Sequence, residues 1–467
     1  MYKMKDSILM NFNDFIKNII EGTEWEGHVF ICGKTLREYF VFYSSIDIEL
    51  VVDLYASSHE DFLDFLTDKL NTKDEEKCTI QYHPNNDMFS LSIKGFEDAY
   101  ITCRATTKIK YDENGTKITC FGTCDDDAQN SVLTIDSMYY NISKDDILDT
   151  SEKGVEDLST HTIRAIGDPD TQFKNNPLDI LKVIRIANEL GWGIEKNTWL
   201  GMVKNADKIV SVPQDYITSE VSRIILTDQP SNAIRRMMFC NGLLSYILPA
   251  LKEITNVDED AEMTAFERTM DILDMTDKNL KSRLSALFHR VGKVTQFYGV
   301  SEEKNSERLT QAVMEKMGYS ESLINSVCKI ISMQNVFKNY KKGAIPSHKT
   351  LKKLKIKMGD DLDTLLQIIH YINITNKYGK KANQIPTILK SYNEIENEEK
   401  QKQNDDIKAK LPVNGNDVMK EFCLKPGKVV GKIISMLVEK YKDKENVTKD
   451  ECMEYVREHI SSVIQSK

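Results

Sequence analysis

The chain has 467 residues and a net charge of −10, with 40% apolar and 29% charged residues. This composition is typical of a folded globular protein and excludes a disordered chain, and the length predicts about three domains. No run of about 18 apolar residues occurs, so no membrane span is expected, and the N-terminus shows no secretory signal. Nine scattered cysteines, an odd number, favour a reducing, cytoplasmic location over a disulfide framework.

The first predicted elements are a helix, a strand, a second helix and a second strand. Apolar residues at helical spacing from Ile8 to Ile19 predict an amphipathic helix. The stretch His28–Cys32 predicts a strand that breaks at Gly33 and is followed by a helix from Thr35 to Phe42. The run Ile46–Val52 then predicts an apolar, β-branched strand.

Two carboxylates interrupt this second strand. Asp47 and Glu49 are two residues apart, so along a strand both side chains point to the same face. Two acids on one face repel each other unless a cation lies between them. A strand, a glycine turn, a helix and an acid-bearing strand, in that order, are typical of polymerase-type nucleotidyltransferase sites. The alternative for this stretch alone is an edge strand whose acids are simply solvated.

The remaining elements change character once along the chain. Up to about residue 140 the chain shows short strand patterns separated by turn signals. From about residue 175 apolar residues recur at helical spacing, beginning with Leu178–Leu190. The charged stretch Glu394–Asp406 is predicted to be a linker or an exposed helix. The other predicted elements of the first part are the helix Ser58–Leu70 and the strands Cys78–His83, Met88–Ile93, Ala99–Arg104 and Lys117–Gly122. The order predicts an α+β fold: a head with a mixed sheet and helices, followed by an all-α neck, body and tail.

Several segments together carry a resemblance to a known family. They are Val29–Asp53, Leu133–Asn141, Ile147–Leu158, Ile163–Pro169, Pro177–Arg185, Asp228–Pro249, Val413–Met419 and Lys425–Lys428. In this order and at these spacings they resemble the bacterial class II CCA-adding enzymes, the tRNA nucleotidyltransferase/poly(A) polymerase family. The resemblance implies a nucleotidyltransferase head over residues 1–145, a neck over 146–210, a helical body over 211–335 and a helical tail over 336–467.

The resemblance also implies a reaction and its residues. The 3′ hydroxyl of a tRNA or another RNA would attack the α-phosphate of a nucleoside triphosphate and release pyrophosphate. Asp47 and Glu49 would be the catalytic residues and would hold Mg²⁺ or Mn²⁺. The implied nucleotide-binding residues are Gly33, Lys34, Arg37, Asn175, Asn176, Asp179, Lys182 and Arg185.

The chain departs from the family's pattern at several motifs. Glu49 stands where aspartate is usual, and the double glycine falls on Cys32-Gly33. The Arg-Arg-Asp motif falls on 130–132, which is Asn-Ser-Val, and the base-reading Glu-Asp-x-x-Arg motif falls on 175–179, which is Asn-Asn-Pro-Leu-Asp. An ionised Asp179 cannot donate a hydrogen bond, so the CTP/ATP code is not expected to be reproduced.

A further motif of the body is altered in the same way. The stretch His289–Lys293 aligns with the His-Asp-x-Gly-Lys of metal-dependent phosphohydrolases, with Arg290 in place of the aspartate. A cation at a ligand position argues against a metal, so His289 is expected to be a core histidine. No phosphohydrolase activity is expected.

The tail contains a basic segment in this acidic chain. Eight lysines and no acidic residue occur between Lys338 and Lys357. Such a run is ordinarily a solvated helix face, but phosphate binding depends on local charge within about 8–10 Å, so the segment is a candidate RNA-binding surface. The candidate residues are Lys341, Lys342, Lys352, Lys353 and Lys355.

Three functions are compatible with the sequence. The first is a nucleotidyltransferase with altered or relaxed nucleotide specificity, favoured by the two retained acids. The second is an inactive relative that keeps the fold and RNA binding, favoured by the replaced ribose and base readers. The third is a structural or protein-binding descendant with no nucleic-acid partner.

Overall fold

The computed structural model describes residues 8–43, 45–53, 59–72, 75–83, 88–111, 117–258, 263–294, 299–337, 346–375, 385–441, 444 and 447–465. The chain forms two compact units, Met1–Gln334 and Asn335–Lys467. The described strands are β1 (Val29–Cys32), β2 (Asp47–Val52), β3 (Cys78–His83), β4 (Met88–Ile93), β5 (Tyr100–Ala105), β6 (Thr107–Tyr111), β7 (Lys117–Phe121), β8 (Met138–Asn141), β9 (Asp146–Asp149), β10 (Thr162–Ile163) and β11 (Gly193–Ile194).

Helices account for most of the remaining described residues. In the first unit they are α1 (Ile8–Ile20), α2 (Gly33–Phe42), α3 (His59–Leu70), α4 (Cys124–Ala128), α5 (Gly154–Ser159), α6 (Pro169–Asn175), α7 (Leu178–Leu190), α8 (Lys196–Asn205), α9 (Gln214–Ile225), α10 (Pro230–Phe239), α11 (Leu243–Ile247), α12 (Pro249–Glu253), α13 (Ala265–Met275), α14 (Leu280–Phe288), α15 (Glu302–Lys316) and α16 (Glu321–Met333). In the second unit they are α17 (His348–Met358), α18 (Leu362–Thr375), α19 (Ile385–Lys410), α20 (Gly415–Glu421), α21 (Lys428–Tyr441) and α22 (Lys449–Gln465). Short 3₁₀ turns lie at Thr134–Asp136, Ala206–Ser211, Ile254–Asn256, Val291–Val294 and Gly359–Asp361.

A mixed seven-stranded sheet organises the first part of the chain. Its strand order is β3-β4-β5-β2-β1-β8-β9, with β2 parallel to β5 and antiparallel to β1. The predicted α+β fold class is therefore confirmed. Because β2 is the middle strand of the sheet, the alternative that its two acids lie on an edge strand is wrong.

The two faces of β2 have different environments. Ile48, Leu50 and Val52 are buried in the main core of the head, together with apolar residues of α1 and α3. On the opposite face Asp47 and Glu49 are partly exposed, and only Val51 is buried there. Burial of each large apolar side chain contributes about 1.5–3 kcal/mol, so a one-residue slip, which would put the carboxylates in the core, is strongly disfavoured.

Several details differ from the sequence-based expectation. Helix α2 begins at Gly33 rather than Thr35, and α1 turns Leu9, Phe12, Ile16 and Ile20 inward while Ile8 is exposed. The sequence did not reveal β8, whose four residues are all buried against β1 and show no alternation. The turn signals at 84–87 and 112–115 lie outside the described residues.

The secondary-structure elements described in the second unit are all helices. Helices α20, α21 and α22 share an apolar core whose buried members are Val413, Val418, Val430, Ile433, Ile434, Leu437, Tyr441, Cys452, Met453 and Val456. The charged stretch Glu394–Asp406 lies within α19 and is thus helical rather than a linker. No described helix in either unit combines the length and apolarity that crossing a bilayer requires.

Candidate active site

The acid-bearing strand is fixed against the start of α2 by one buried hydroxyl. Thr35 Oγ1 donates to the backbone oxygen of Asp47 at 3.0 Å and accepts from the backbone N–H of Glu49 at 2.9 Å. Ser45 Oγ also donates to the backbone oxygen of Asp47, at 2.8 Å. These main-chain contacts hold both acids at the N-terminal end of α2, with their side chains 43% and 29% exposed.

Asp47 is paired with a lysine from the first turn of α2. Lys34 Nζ lies 2.6 Å from Asp47 Oδ2 and 3.4 Å from Glu38 Oε1. Partial burial lowers the pKa of Lys34, but the hydrogen bond from Lys34 to Asp47 and the charge of Glu38 outweigh it, so the pKa is raised overall. Lys34 therefore stays protonated beside Asp47.

Glu49 is paired with an arginine that the sequence did not point to. Arg104 Nε, from the parallel strand β5, donates to Glu49 Oε1 at 2.8 Å. Its Nη1 donates to Asp127 Oδ1 at 2.8 Å and to the backbone oxygen of Ala105 at 3.1 Å. Arg104 thus links the candidate metal-binding acid to the interior of the head.

Asp127 anchors this arginine from a buried position on α4. Its carboxylate is 3% exposed and also accepts from the Tyr139 hydroxyl at 2.7 Å and from both the backbone N–H and the hydroxyl of Thr107 at 2.9 Å. Burial raises the pKa of Asp127, but the charge and hydrogen bond of Arg104 prevail and hold it below its usual value. Asp127 is a fully satisfied, ionised group.

A second ion pair lies beside the acids. Arg37, buried on α2, donates to Asp136. Burial raises the pKa of Asp136 and the charge of Glu49 raises it further, whereas Arg37 and Arg185 act to lower it. Asp136 thus lies within electrostatic range of both the acid strand and α7 of the predicted neck.

Gly33 has a backbone conformation that favours glycine. Its φ is +61°, in the left-handed region that other residues rarely adopt. A Cβ at this position would lie 3.3 Å from Glu49 Oε2. A side chain at position 33 would therefore be strained and would crowd the Glu49 carboxylate.

The predicted base-reading residues lie at the junction of α6 and α7. Asn175 and Asn176 are exposed there, whereas Asp179 is buried and accepts from Lys182 Nζ at 3.0 Å. Arg185 donates from Nε to Glu220 at 2.9 Å and from Nη1 to Glu189 at 3.0 Å. Asp179 and Lys182 thus form an ion pair with each other at the start of α7, in which the lysine is the more exposed partner.

The segment at the altered Arg-Arg-Asp position connects parts of the fold. The Asn130 amide donates to the backbone oxygen of Thr107 at 2.9 Å, and the backbone oxygen of Val132 accepts from Gln172 Nε2 at 3.0 Å. Ser131 Oγ donates to the backbone oxygen of Asp136 at 3.4 Å. The side chains of Asn130 and Ser131 and the backbone oxygen of Val132 thus make structural hydrogen bonds here.

The altered phosphohydrolase motif is a packed part of the body. Arg290 Nε donates to His289 Nε2 at 3.0 Å, so His289 Nδ1 donates to the Ala286 oxygen at 2.6 Å. Burial lowers the pKa of His289 to about 3, and both ring nitrogens are engaged. A Cβ on Gly292 would lie 2.4 Å from the backbone nitrogen of Ser306, so this glycine permits the close approach of α15. His289 is a core histidine, as the sequence predicted.

The candidate RNA-binding lysines are only partly within the described residues. Lys352 and Lys353 are exposed on α17, and Lys355 Nζ lies 5.5 Å from the ring centroid of Tyr392. Lys341 and Lys342 lie outside the described residues. Lys355 thus combines a charge with a cation–π contact, whereas its two helix neighbours face solvent.

The donor set at the acid strand fits a magnesium or manganese ion. Asp47 and Glu49 carry their carboxylate oxygens on one face of β2, and both side chains stay partly exposed although Lys34 and Arg104 contact them. Across the described ranges, no group of three or more histidine, cysteine or acidic side chains is arranged to hold a metal. Mg²⁺ commonly binds through one or two carboxylates, waters and substrate phosphates, so two ligands suffice.

Comparisons with known proteins agree on the type of protein. Residues 29–164 match the family described as "Poly A polymerase head domain", and residues 191–255 match the "Probable RNA and SrmB-binding site of polymerase A". Poly(A) polymerase I of Haemophilus influenzae is 26% identical over 164 residues, which are 35% of this chain and 35% of that protein. The CCA-adding enzyme of Limosilactobacillus reuteri is 25% identical over 130 residues, 28% of this chain and 32% of that protein. The chain thus spans about a third of the length of these curated relatives.

A solved structure extends the likeness of the fold to nearly the whole chain. The Thermotoga maritima CCA-adding enzyme complexed with tRNA superposes with a TM-score of 0.54, covering 98% of this chain and 97% of that one. The two are 15% identical, so this likeness shows the fold alone. The chain thus matches the poly(A) polymerase family models over residues 29–164 and 191–255, and it shares the overall fold of a CCA-adding enzyme.

Proposed function

We propose that this chain transfers a nucleotide from a nucleoside triphosphate to the 3′ end of an RNA, with a divalent metal ion held by Asp47 and Glu49. The observation that carries the proposal is the position of two partly exposed carboxylates on one face of the central strand, beside the start of α2. The matched RNA-binding region and the tRNA-bound relative support tRNA as the class of RNA. The free cysteines support a cytoplasmic location.

Each part of the site has a role in this reaction. The N-terminus of α2 and Lys34 would bind the triphosphate, since free N–H groups and a lysine both attract phosphate. Because Gly33 has no side chain, the backbone at this position leaves room for the triphosphate beside Glu49. A bound magnesium ion would lower the pKa of the attacking 3′ hydroxyl and neutralise charge on the departing pyrophosphate. Arg104 would keep the Glu49 carboxylate in place.

Nucleotide choice would rest on the junction of α6 and α7. Asp179 and Lys182 offer one acceptor and one donor, and exposed Asn175 and Asn176 offer both kinds. An acceptor and a donor can still pair with a base edge, but a lysine lacks the rigid fork of an arginine. Altered or relaxed specificity is therefore proposed in place of strict C and A addition.

The test is incorporation of labelled nucleotide by the full-length chain. Purified protein is incubated with tRNA and each nucleoside triphosphate in turn, with Mg²⁺ or Mn²⁺ and in parallel with EDTA. We expect metal-dependent extension of the 3′ end by at least one nucleotide, and none with EDTA. Absence of incorporation under every combination would reject the activity and leave the second candidate, an inactive RNA-binding protein whose acids are already neutralised by Lys34 and Arg104.

Shortening Glu49 is expected to impair this activity, although it restores the family's usual acid. In Glu49→Asp the carboxylate withdraws by about 1 Å or more from Arg104 Nε, which Asp127 holds in place, and a shift of this size costs roughly 100-fold in rate. The measurement is the single-turnover incorporation rate. The control is Glu60→Asp, at a solvent-exposed position of α3, which should keep the parent rate. A Glu49→Asp protein as fast as the parent would contradict the role of Arg104.

Reversing charge on α17 is expected to weaken RNA binding. In the double variant Lys352→Glu/Lys353→Glu, loss of two phosphate contacts should lower tRNA affinity by roughly tenfold or more and reduce the slope of log affinity against log salt by about 1–2. The measurement is fluorescence anisotropy over a salt series. The charge-preserving Lys352→Arg/Lys353→Arg variant is the control and should retain parental affinity. Unchanged affinity in the glutamate variant would leave this lysine pair as a solvated helix face.

A further inference from the structure

The two acids differ in how firmly their cationic partners are held. Arg104 is tied to Asp127 and to a backbone oxygen as well as to Glu49, and its side chain is 23% exposed. Lys34 contacts only carboxylates at the surface, and its side chain is 52% exposed. A lysine is a flexible, strongly hydrated point charge, whereas an arginine with several fixed acceptors is not easily displaced. Lys34 is thus the partner that is able to leave.

We propose that Lys34 forms an ion pair with the Asp47 carboxylate in the nucleotide-free protein and moves to the triphosphate when a nucleotide binds. The inference rests on the proposed function and adds a coupling to it. While Lys34 Nζ lies 2.6 Å from Asp47 Oδ2, it competes with a divalent cation for that oxygen and repels the cation. A bound triphosphate draws the ammonium away and exposes the carboxylate. Metal ion and nucleotide therefore bind cooperatively, and the metal alone binds weakly.

The position of Lys34 in α2 supports this movement. It lies in the first turn of a ten-residue helix, directly after Gly33, where the free N–H groups of the helix point towards an incoming phosphate. Glu38, one turn further along, lies 3.4 Å from Lys34 Nζ and offers a second resting position. The Asp47 backbone is held separately by Thr35 and Ser45, so departure of the lysine leaves the acid in place.

The first test measures binding of Mn²⁺ alone to the full chain, from the loss of the free-ion EPR signal. Lys34→Met is expected to raise Mn²⁺ affinity by roughly three- to tenfold, since an exposed ion pair is worth up to about 1 kcal/mol and a unit charge beside the site is also removed. The matched control is Lys153→Met, because Lys153 is 50% exposed and pairs with Glu156 at 2.6 Å. It should leave Mn²⁺ affinity unchanged. Lys34→Arg keeps the cation and should bind Mn²⁺ no better than the parent.

The second test measures binding of a non-hydrolysable ATP analogue in EDTA, where no metal takes part. Here Lys34→Met is expected to weaken affinity by roughly three- to tenfold, the opposite sign to its effect on Mn²⁺. A purely structural role of Lys34 would not change the two affinities in opposite directions. Melting temperatures in EDTA check that the variants are folded.

The outcomes separate this inference from the proposed function. Unchanged or weaker Mn²⁺ binding by Lys34→Met, or no Mn²⁺ binding by either protein, overturns the role of Lys34. If Lys34→Met binds Mn²⁺ more tightly and the added Asp47→Asn change abolishes the gain, the inference holds even where no nucleotide is incorporated. Failure of incorporation therefore rejects only the proposed activity.

Discussion

Replacing Asp127 by alanine is expected to lower the free energy of unfolding by about 3–5 kcal/mol, the usual cost of removing one partner from a buried ion pair. The carboxylate is 3% exposed and accepts hydrogen bonds from Arg104, Tyr139 and Thr107. Without Asp127 the Arg104 guanidinium loses its buried partner, and Arg104 is no longer held in the position from which it orients Glu49. Urea unfolding followed by circular dichroism measures the change.

The neighbouring Asp126→Ala variant is the control for this prediction. Asp126 accepts from the Thr123 backbone N–H at the start of α4 and pairs with Lys108 at the surface, with a side chain that is 26% exposed. Its removal should cost about 1 kcal/mol, the usual effect of a lost helix-capping interaction. Equal losses of unfolding free energy in the two variants would show that the buried hydrogen bonds around Arg104 stabilise the fold no more than a surface helix cap does.

The effect of Asp127→Ala on the free energy of unfolding should depend on pH with a definite sign. Because Arg104 holds the pKa of Asp127 below its usual value despite burial, the ionised carboxylate stabilises the folded state at any pH above its unfolded-state pKa of about 3.9. This contribution is lost as the pH falls through the lower folded-state pKa. The difference in unfolding free energy between the parent and Asp127→Ala should therefore stay constant from pH 7 to about pH 5 and shrink below about pH 4.

The sequence predicted the acid strand because its information is local. Alternation along Ile46–Val52 places Asp47 and Glu49 on one face, and the preceding glycine marks the start of α2. The arginine that positions Glu49 could not be predicted in this way, because β5 joins β2 by parallel pairing across about fifty residues of intervening chain. Nothing in the run Ala99–Arg104 distinguishes an arginine facing an acid from one facing solvent.

The altered motifs of the body show a second limit of sequence reasoning. The stretch His289–Lys293 has an arginine where the motif it resembles has an aspartate, but it has the motif's glycine at position 292. In the structure Gly292 allows the backbone of α15 to approach more closely than any side chain would permit. A glycine that matches a catalytic motif can therefore serve packing alone, and only the surrounding backbone distinguishes that role from a catalytic one.

Replacing Asp47 by asparagine is expected to reduce nucleotide incorporation by about 1,000-fold or more. The change removes one of two carboxylates proposed to hold the metal, and charge stabilisation by such an ion is worth several kcal/mol in the transition state. The fold should be retained, because the backbone contacts with Thr35 and Ser45 remain and the side chain is 43% exposed. Single-turnover incorporation and a melting curve measure the two effects.

Glu38→Gln is the matched control for Asp47→Asn. Glu38 is the other carboxylate beside Lys34 Nζ, at 3.4 Å, but it lies on α2 rather than on the acid strand. If Asp47 acts as a metal ligand, Glu38→Gln should stay within about fivefold of the parental rate, since an ion pair near the surface contributes at most about 1 kcal/mol. If Asp47 acts only by holding Lys34, the two variants should lose similar activity, because each removes one of the lysine's two acidic partners. The ratio of the two rates therefore separates a catalytic carboxylate from a carboxylate that merely positions a cation.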